Sequence, residues 1–214
     1  MPRRQLNLGL ASYRRSLIKS KRAAILKAAR ESFLESGFSR VAMAVIARDA
    51  DVSTATLYKH FASKDELFAA VIREAHSETE ANMHIDIGTT PAHTILKNIT
   101  DAYVRQQLEG QMNSLLRVVI AEVPSAPQLA NEVYEKGMLV RYGQFRAVID
   151  SLVARGDLKP HDTEISSHCF GGMVKEFSVW PALFSQDFSR PDDLDDKIAI
   201  CIDSYLKIYR AEKN

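Results

Sequence analysis

Apolar residues recur at intervals of three and four along almost the whole chain, a pattern that predicts helices and shows no sustained strand alternation. From Ser20 onward, Ile25, Ala29 and Phe33 follow one another at four-residue spacing with Leu26 and Leu34 beside them, and Gly37 ends this amphipathic helix. The most informative stretch reads IARDADVSTATLYKHF, from Ile46 to Phe61. Ile46, Ala47 and Ala50 give one short helix an apolar face, and Leu57 with Phe61, four residues apart, give a second helix another. Between them Asp51 can take the left-handed conformation, Val52 can turn inward and Ser53 can cap the helix that follows. Two short helices hinged in this way expose the polar side of the second. That side carries Thr54, Thr56, Tyr58, Lys59 and His60, donors and cations suited to the base edges and phosphates of DNA.

Ser63-Lys64-Asp65-Glu66 opens the next helix as a capping box, in which Ser63 accepts from the Glu66 N–H while the Glu66 side chain reaches back; Leu67, Phe68, Val71 and Ile72 continue its apolar face. Residues 82–90, with Gly88 and then Pro91, form a break. Beyond it the spacing predicts helices near 92–108, 112–123, 129–154, from His161-Asp162-Thr163 toward Phe184, and from Pro191-Asp192-Asp193 to about Tyr209. Residues 1–18 lack periodicity and are expected to form a flexible basic arm. The fold class is therefore all-α, with a three-helix helix-turn-helix unit over 19–66 and a larger helical domain over 67–214.

Charge adds direction to this picture. The net charge of the 214 residues is +1, but residues 1–80 carry 14 Lys and Arg against 9 Asp and Glu, while residues 81–214 carry 14 against 18. Within residues 1–30 there are nine basic side chains and no acidic one, which suits a polyphosphate partner better than a solvated tail, since each neutralised phosphate releases condensed counterions. The apolar runs are too short for a membrane span and the basic N-terminus lacks a signal-peptide core, so a soluble cytoplasmic protein is expected, with no membrane partner.

Catalytic and metal chemistry find little support. The chain has no GxSxG, GxxxxGK[ST], HExxH or CxxC motif, so no enzyme activity and no cofactor are expected. Cys169 and Cys201 read as small buried apolar residues. His161 and His168 lie two helical turns apart beside Asp162, but no third ligand is indicated and no metal is expected.

The order of helix, Gly37-Phe38, short helix, Ala50-Asp51-Val52-Ser53, Thr56-Leu57-Tyr58-Lys59-His60-Phe61 and Ser63-Lys64-Asp65-Glu66-Leu67-Phe68 resembles the DNA-binding domain of the TetR family of transcriptional regulators. The resemblance covers about 50 residues. It implies a homodimer that binds a palindromic double-stranded DNA operator, usually a repressor released by a small molecule. Carried over by position, Thr54, Ala55 and Thr56 face bases, Tyr58, His60 and Lys64 hold phosphates, and Lys59 reaches either. The chain departs from the family pattern at three places: Val41-Ala42 stand where a Thr or Ser usually precedes the second helix, Asp51 replaces the turn Gly, and Ala55 replaces an early Gly. Ser39 or Arg40 is expected to compensate for the first.

A looser resemblance joins Arg117-Val118-Val119-Ile120-Ala121-Glu122, Ala126-Pro127-Gln128-Leu129 and Arg155-Gly156-Asp157-Leu158 to C-terminal domains of efflux-type members. It implies an apolar effector pocket drawn from Leu115, Leu116, Val119, Phe145, Ile149, Phe170, Met173 and Phe177, with His168 as a polar anchor. It also implies a dimer interface involving Gly171, Gly172, Val174, Tyr205 and Ile208. Ordinary core packing is the competing reading for each of these residues. Two other functions stay open: a ligand-independent or architectural DNA-binding protein, and a helical enzyme or carrier with a degenerate DNA-binding module.

Overall fold

The computed structural model describes residues 3–80, 87–109 and 111–211; of residues 3–12, 14, 15 and 76–80 it describes the backbone alone. Helices run over Arg3–Ser36 (α1), Met43–Asp49 (α2), Thr54–His60 (α3), Lys64–Glu80 (α4), Ala92–Leu108 (α5), Met112–Glu122 (α6), Pro127–Val133 (α7), Val140–Ala154 (α8), Thr163–Ser178 (α9), Trp180–Phe184 (α10) and Leu194–Tyr209 (α11). No strand occurs among the described residues, where an isolated antiparallel bridge joins Leu158 to Arg210. The break expected over residues 82–90 lies partly outside the described residues, and 87–90 form a turn.

Two differences from the sequence reading concern helix length. The stretch expected to be an arm is the first half of α1, which begins at Arg3. The long pattern over 129–154 is one rod containing a wide π-helical segment, Tyr134–Leu139, between α7 and α8. Segments of this kind often lie at functional sites because they re-aim the side chains that follow.

Local chemistry explains the N-terminal unit. Gly37 takes φ +77° and its N–H reaches the Phe33 carbonyl, closing α1. Phe33 of α1, Phe38 of the next loop and Phe68 of α4 pack ring against ring at 5.0 to 5.7 Å, the two contacts to Phe68 edge-on. Asp51 does take the left-handed conformation, at φ 53°, and Val52 packs against the core. The Ser53 side chain accepts from the Thr56 N–H at 3.1 Å and so starts α3. Ser63 likewise accepts from the Glu66 N–H at 3.0 Å, but the returning Glu66 carboxylate takes the N–H of Ala62 rather than that of Ser63.

The hydrophobic core does not stop at the end of this unit. Ile25, Phe33, Ile46, Leu57 and Phe68 belong to one cluster with Met112, Leu115, Val119, Leu129 and Val133 of α6 and α7. A second cluster gathers Ile95, Leu96, Ile149, Phe170, Ile202 and Tyr205 from α5, α8, α9 and α11. A boundary between residues 66 and 67 would cut α4 in its first turn, and α4 packs on α1 as well as on α5, α6 and α7. α4 and α6 are thus built into the DNA-facing unit and the larger domain at once.

Candidate functional site

The helix-turn-helix presents α3 as expected. Leu57 is fully buried and anchors it, while Thr54, Ala55, Tyr58 and Lys59 are exposed and Thr56 and His60 are half-buried. The Thr56 hydroxyl lies 2.8 Å from that of Ser53, so it serves the cap as well as the surface. Arg22 of α1 lies over the ring of Phe61 at 5.1 Å, which brings basic α1 beside the end of α3. Arg40 is exposed and its Nε donates to the Ser36 carbonyl at 2.8 Å. Ala42 supplies no side-chain cap to α2, and Ser39 does not replace it, because its hydroxyl is engaged elsewhere.

Lys64 sits differently from a phosphate ligand. Its ammonium donates to the carbonyls of Phe38, Ser39 and Val41 at 2.9, 3.2 and 3.1 Å and lies 4.5 Å from the centre of the Phe38 ring. An ammonium has three donors, so the Lys64 charge is spent on closing the loop between α1 and α2. Ser39, in the same loop, donates from its N–H and its hydroxyl to the Glu122 carboxylate of α6 at 3.0 and 2.6 Å, and Ser125 adds a third donor at 2.6 Å. The hydrogen bonds from Ser125 and Ser39 hold the Glu122 carboxyl below its ordinary pKa.

Behind this unit lies a cavity of about 280 Å³ between α5, α6, α8, α9 and the π-helical segment. Leu116, Phe145 and Phe170 line it, as the sequence reading placed them. The other proposed pocket residues are elsewhere. Leu115 and Val119 face the core shared with the N-terminal unit, and Ile149 is fully buried in the second core. Met173 and Phe177 pack against that second core, Phe177 beneath the Lys197 ammonium. His168 is exposed, with its ring stacked on Tyr142 at 4.1 Å.

The cavity also has a polar lining that periodicity did not reveal: Thr100, Gln106 and Gln107 on α5, Arg141 on α8 and Lys175 on α9. Tyr103 lines it too, under the Arg141 guanidinium at 5.5 Å, and burial pushes its phenol well above the ordinary tyrosine range. Lys175 donates to the Tyr142 hydroxyl, and the Tyr142 ring covers Gly171.

Of the residues expected at a dimer interface, Val174 and Tyr205 are buried in the chain's own core, with 3% and 1% exposure, and Gly171 lines the cavity. Tyr205 bonds to Ser166 at 3.1 Å, and burial pushes its phenol up to about 12. Gly172 and Ile208 are exposed, together with Ile165 on α9 and Ile200 on α11, which the sequence reading did not single out. Cys169 is exposed, against expectation, and Cys201 is buried. His161 stacks on Tyr209 and hydrogen-bonds Ser166, and no group of three metal-ligating side chains occurs among the described residues.

A helix-turn-helix with an exposed polar recognition helix, fused through a shared core to a helical domain around a cavity, is the architecture of a one-component DNA-binding regulator. Residues 25–71 match the family described as "Bacterial regulatory proteins, tetR family", and residues 94–211 match the "AefR-like transcriptional repressor, C-terminal domain". The chain belongs to the TetR family of transcriptional regulators. It is 32% identical to the HTH-type transcriptional regulator UidR of Escherichia coli over 120 residues, a stretch that is 56% of this chain and 60% of that one. Among solved structures it resembles a TetR-family regulator from Mesorhizobium loti, with a TM-score of 0.80 at 23% identity over 91% of this chain and 98% of that one. A second, from Pseudomonas syringae pv. tomato, gives 0.70 at 25% identity over 89% and 97%.

Proposed function

We propose that the protein is a homodimeric repressor that binds a palindromic DNA operator and leaves it when a small hydrophobic or amphipathic effector occupies the cavity. The observation that carries this reading is the placement of one exposed recognition helix and one internal cavity on opposite ends of a shared core, with α4 and α6 common to both. In this reading Thr54, Ala55 and Thr56 meet base edges, Tyr58, Lys59, His60 and Arg40 hold the backbone, and Lys64 acts indirectly by fixing the loop ahead of α2. Ile165, Ile200 and Ile208 supply the apolar part of the dimer surface. A DNA partner places the protein in the cytoplasm.

The mechanism is linkage. The effector favours a conformation whose two recognition helices no longer match major grooves about 34 Å apart, and operator binding weakens effector binding by the same factor. The test is selection of duplexes from a random-sequence pool by the full chain. Enrichment of a two-fold symmetric motif supports the reading, and an unchanged pool contradicts it.

A further inference from the structure

The cavity has an uneven chemistry that narrows what it takes. Its inner side holds three polar side chains at 2 to 3% exposure: Thr100, Gln106 and Gln107. The hydroxyl oxygen of Thr100 and the amide oxygens of both glutamines have no hydrogen-bond partner in the protein. Such groups are costly to bury unpaired and call for donors in the space they line. Gln106 cannot turn to relieve this, because its amide nitrogen is bonded to the Ala75 carbonyl of α4 at 2.8 Å, which fixes the oxygen on the other side. The solvent side carries the half-buried cations Arg141 and Lys175, and no carboxylate is among the described residues that line the cavity. Between these ends the walls are aromatic, with Tyr103, Phe145 and Phe170.

We infer that the cavity takes an aromatic organic acid bearing a hydroxyl group, its acid held at Arg141 and Lys175 and its hydroxyl donating to the Gln106 or Gln107 amide oxygen. The inference rests on the reading of the cavity as the effector site and deepens it. A charge-assisted pair at the half-buried end supplies orientation, and the hydroxyl at the buried end satisfies acceptors that an apolar ligand leaves unpaired. Gln106 is then the positioning residue that couples occupancy to α4: a ligand hydroxyl on its oxygen acts on the same amide that holds Ala75. A cationic or purely apolar ligand of the same size meets two like charges or three empty acceptors.

The experiment is calorimetric titration of the full-length, DNA-free protein with three probes that share one body: 6-hydroxy-2-naphthoate, its methyl ester and 2-naphthoate. The hydroxy acid is expected to bind about tenfold or more tighter than its ester, and several-fold tighter than the acid lacking the hydroxyl. Arg141→Gln is expected to remove the preference for acid over ester, and Gln106→Leu the preference for the hydroxyl, each with helical content and melting retained. Lys175→Gln serves as the second cation variant should Arg141→Gln fold poorly. Equal binding of acid and ester, or no binding of any probe at about millimolar concentration, overturns the assignment. The titration needs no operator, so its failure beside intact DNA binding removes this inference alone, whereas failed DNA binding beside a clear acid preference removes the regulatory reading.

Discussion

Ser39 and Glu122 are 83 residues apart in the chain and are joined by two hydrogen bonds, from the Ser39 N–H at 3.0 Å and from its hydroxyl at 2.6 Å. Ser39 sits in the loop that sets the start of α2, and Glu122 ends α6, whose Leu116 lines the cavity. A shift of α6 on ligand binding is therefore felt directly at the helix-turn-helix. With Gln106 bonded to α4, this makes two physical connections from the cavity to the DNA-facing unit.

Glu122→Gln keeps the shape but loses the charge that three donors share. The expected cost is about 1 to 3 kcal/mol of stability at neutral pH, read as a lower melting temperature. The sign with pH follows from the lowered pKa of Glu122 in the fold. Its contribution is full above the ordinary carboxylate pKa and is lost as pH falls through the lowered one, so wild type and variant converge in acid. A difference that persists unchanged below that range would show that the carboxylate charge is not its source.

Lys64→Ala removes donors from three loop carbonyls, and the variant is expected to be about 1 to 3 kcal/mol less stable. DNA binding weakens because the loop loosens, while the salt slope of binding stays as in the wild type. A slope lower by about 0.9 with unchanged melting would instead make Lys64 a phosphate ligand.

Changes on α3 separate positioning from reading. Tyr58→Ala and Lys59→Ala, both at exposed positions, are expected to weaken binding to all duplexes alike and to leave stability within about 0.5 kcal/mol. Ala55→Gly or Thr54→Val is expected to change base preference instead. A uniform effect from the second pair, measured by competition among duplexes, would remove the base-reading assignment.

Gly171→Ala places a methyl 3.2 Å from the Tyr142 ring and hydroxyl, close enough to push Tyr142 aside. Alanine's helix preference of about 1 kcal/mol offsets the crowding, so melting is expected to change little. The effect falls on the cavity, where Tyr142 and its partner Lys175 both form part of the wall. Hydroxynaphthoate affinity is expected to drop with stability retained; an unchanged affinity would place Tyr142 outside the binding contacts.

The N-terminal unit was legible because its signals are short-range: Ser53 and Ser63 cap the helices they precede, and Asp51 accepts the turn conformation. The range of α5, 92–108, was legible for the same reason, with Pro91 ahead of it and Gly110 after it. The cavity was not, because its lining depends on how each helix is rotated among several neighbours. Leu115 and Leu116 are adjacent on one helix, yet the first faces the shared core and the second lines the cavity. Thr100, Gln106 and Gln107 look like a solvated stripe in sequence, and are buried because α5 packs against α4, α6, α9 and α11. Lys64 is a third kind of case: a long cation can meet water, phosphate or carbonyls, and its carbonyls lie 23 to 26 residues back along the chain.

The most direct measurement is binding of the full-length protein to the DNA flanking its own gene, at two salt concentrations and against a scrambled duplex of equal length. Tighter binding to the native sequence, weakening steeply as salt rises, is the predicted result. Equal affinity for both duplexes, or no binding at low salt by folded protein, would contradict the account.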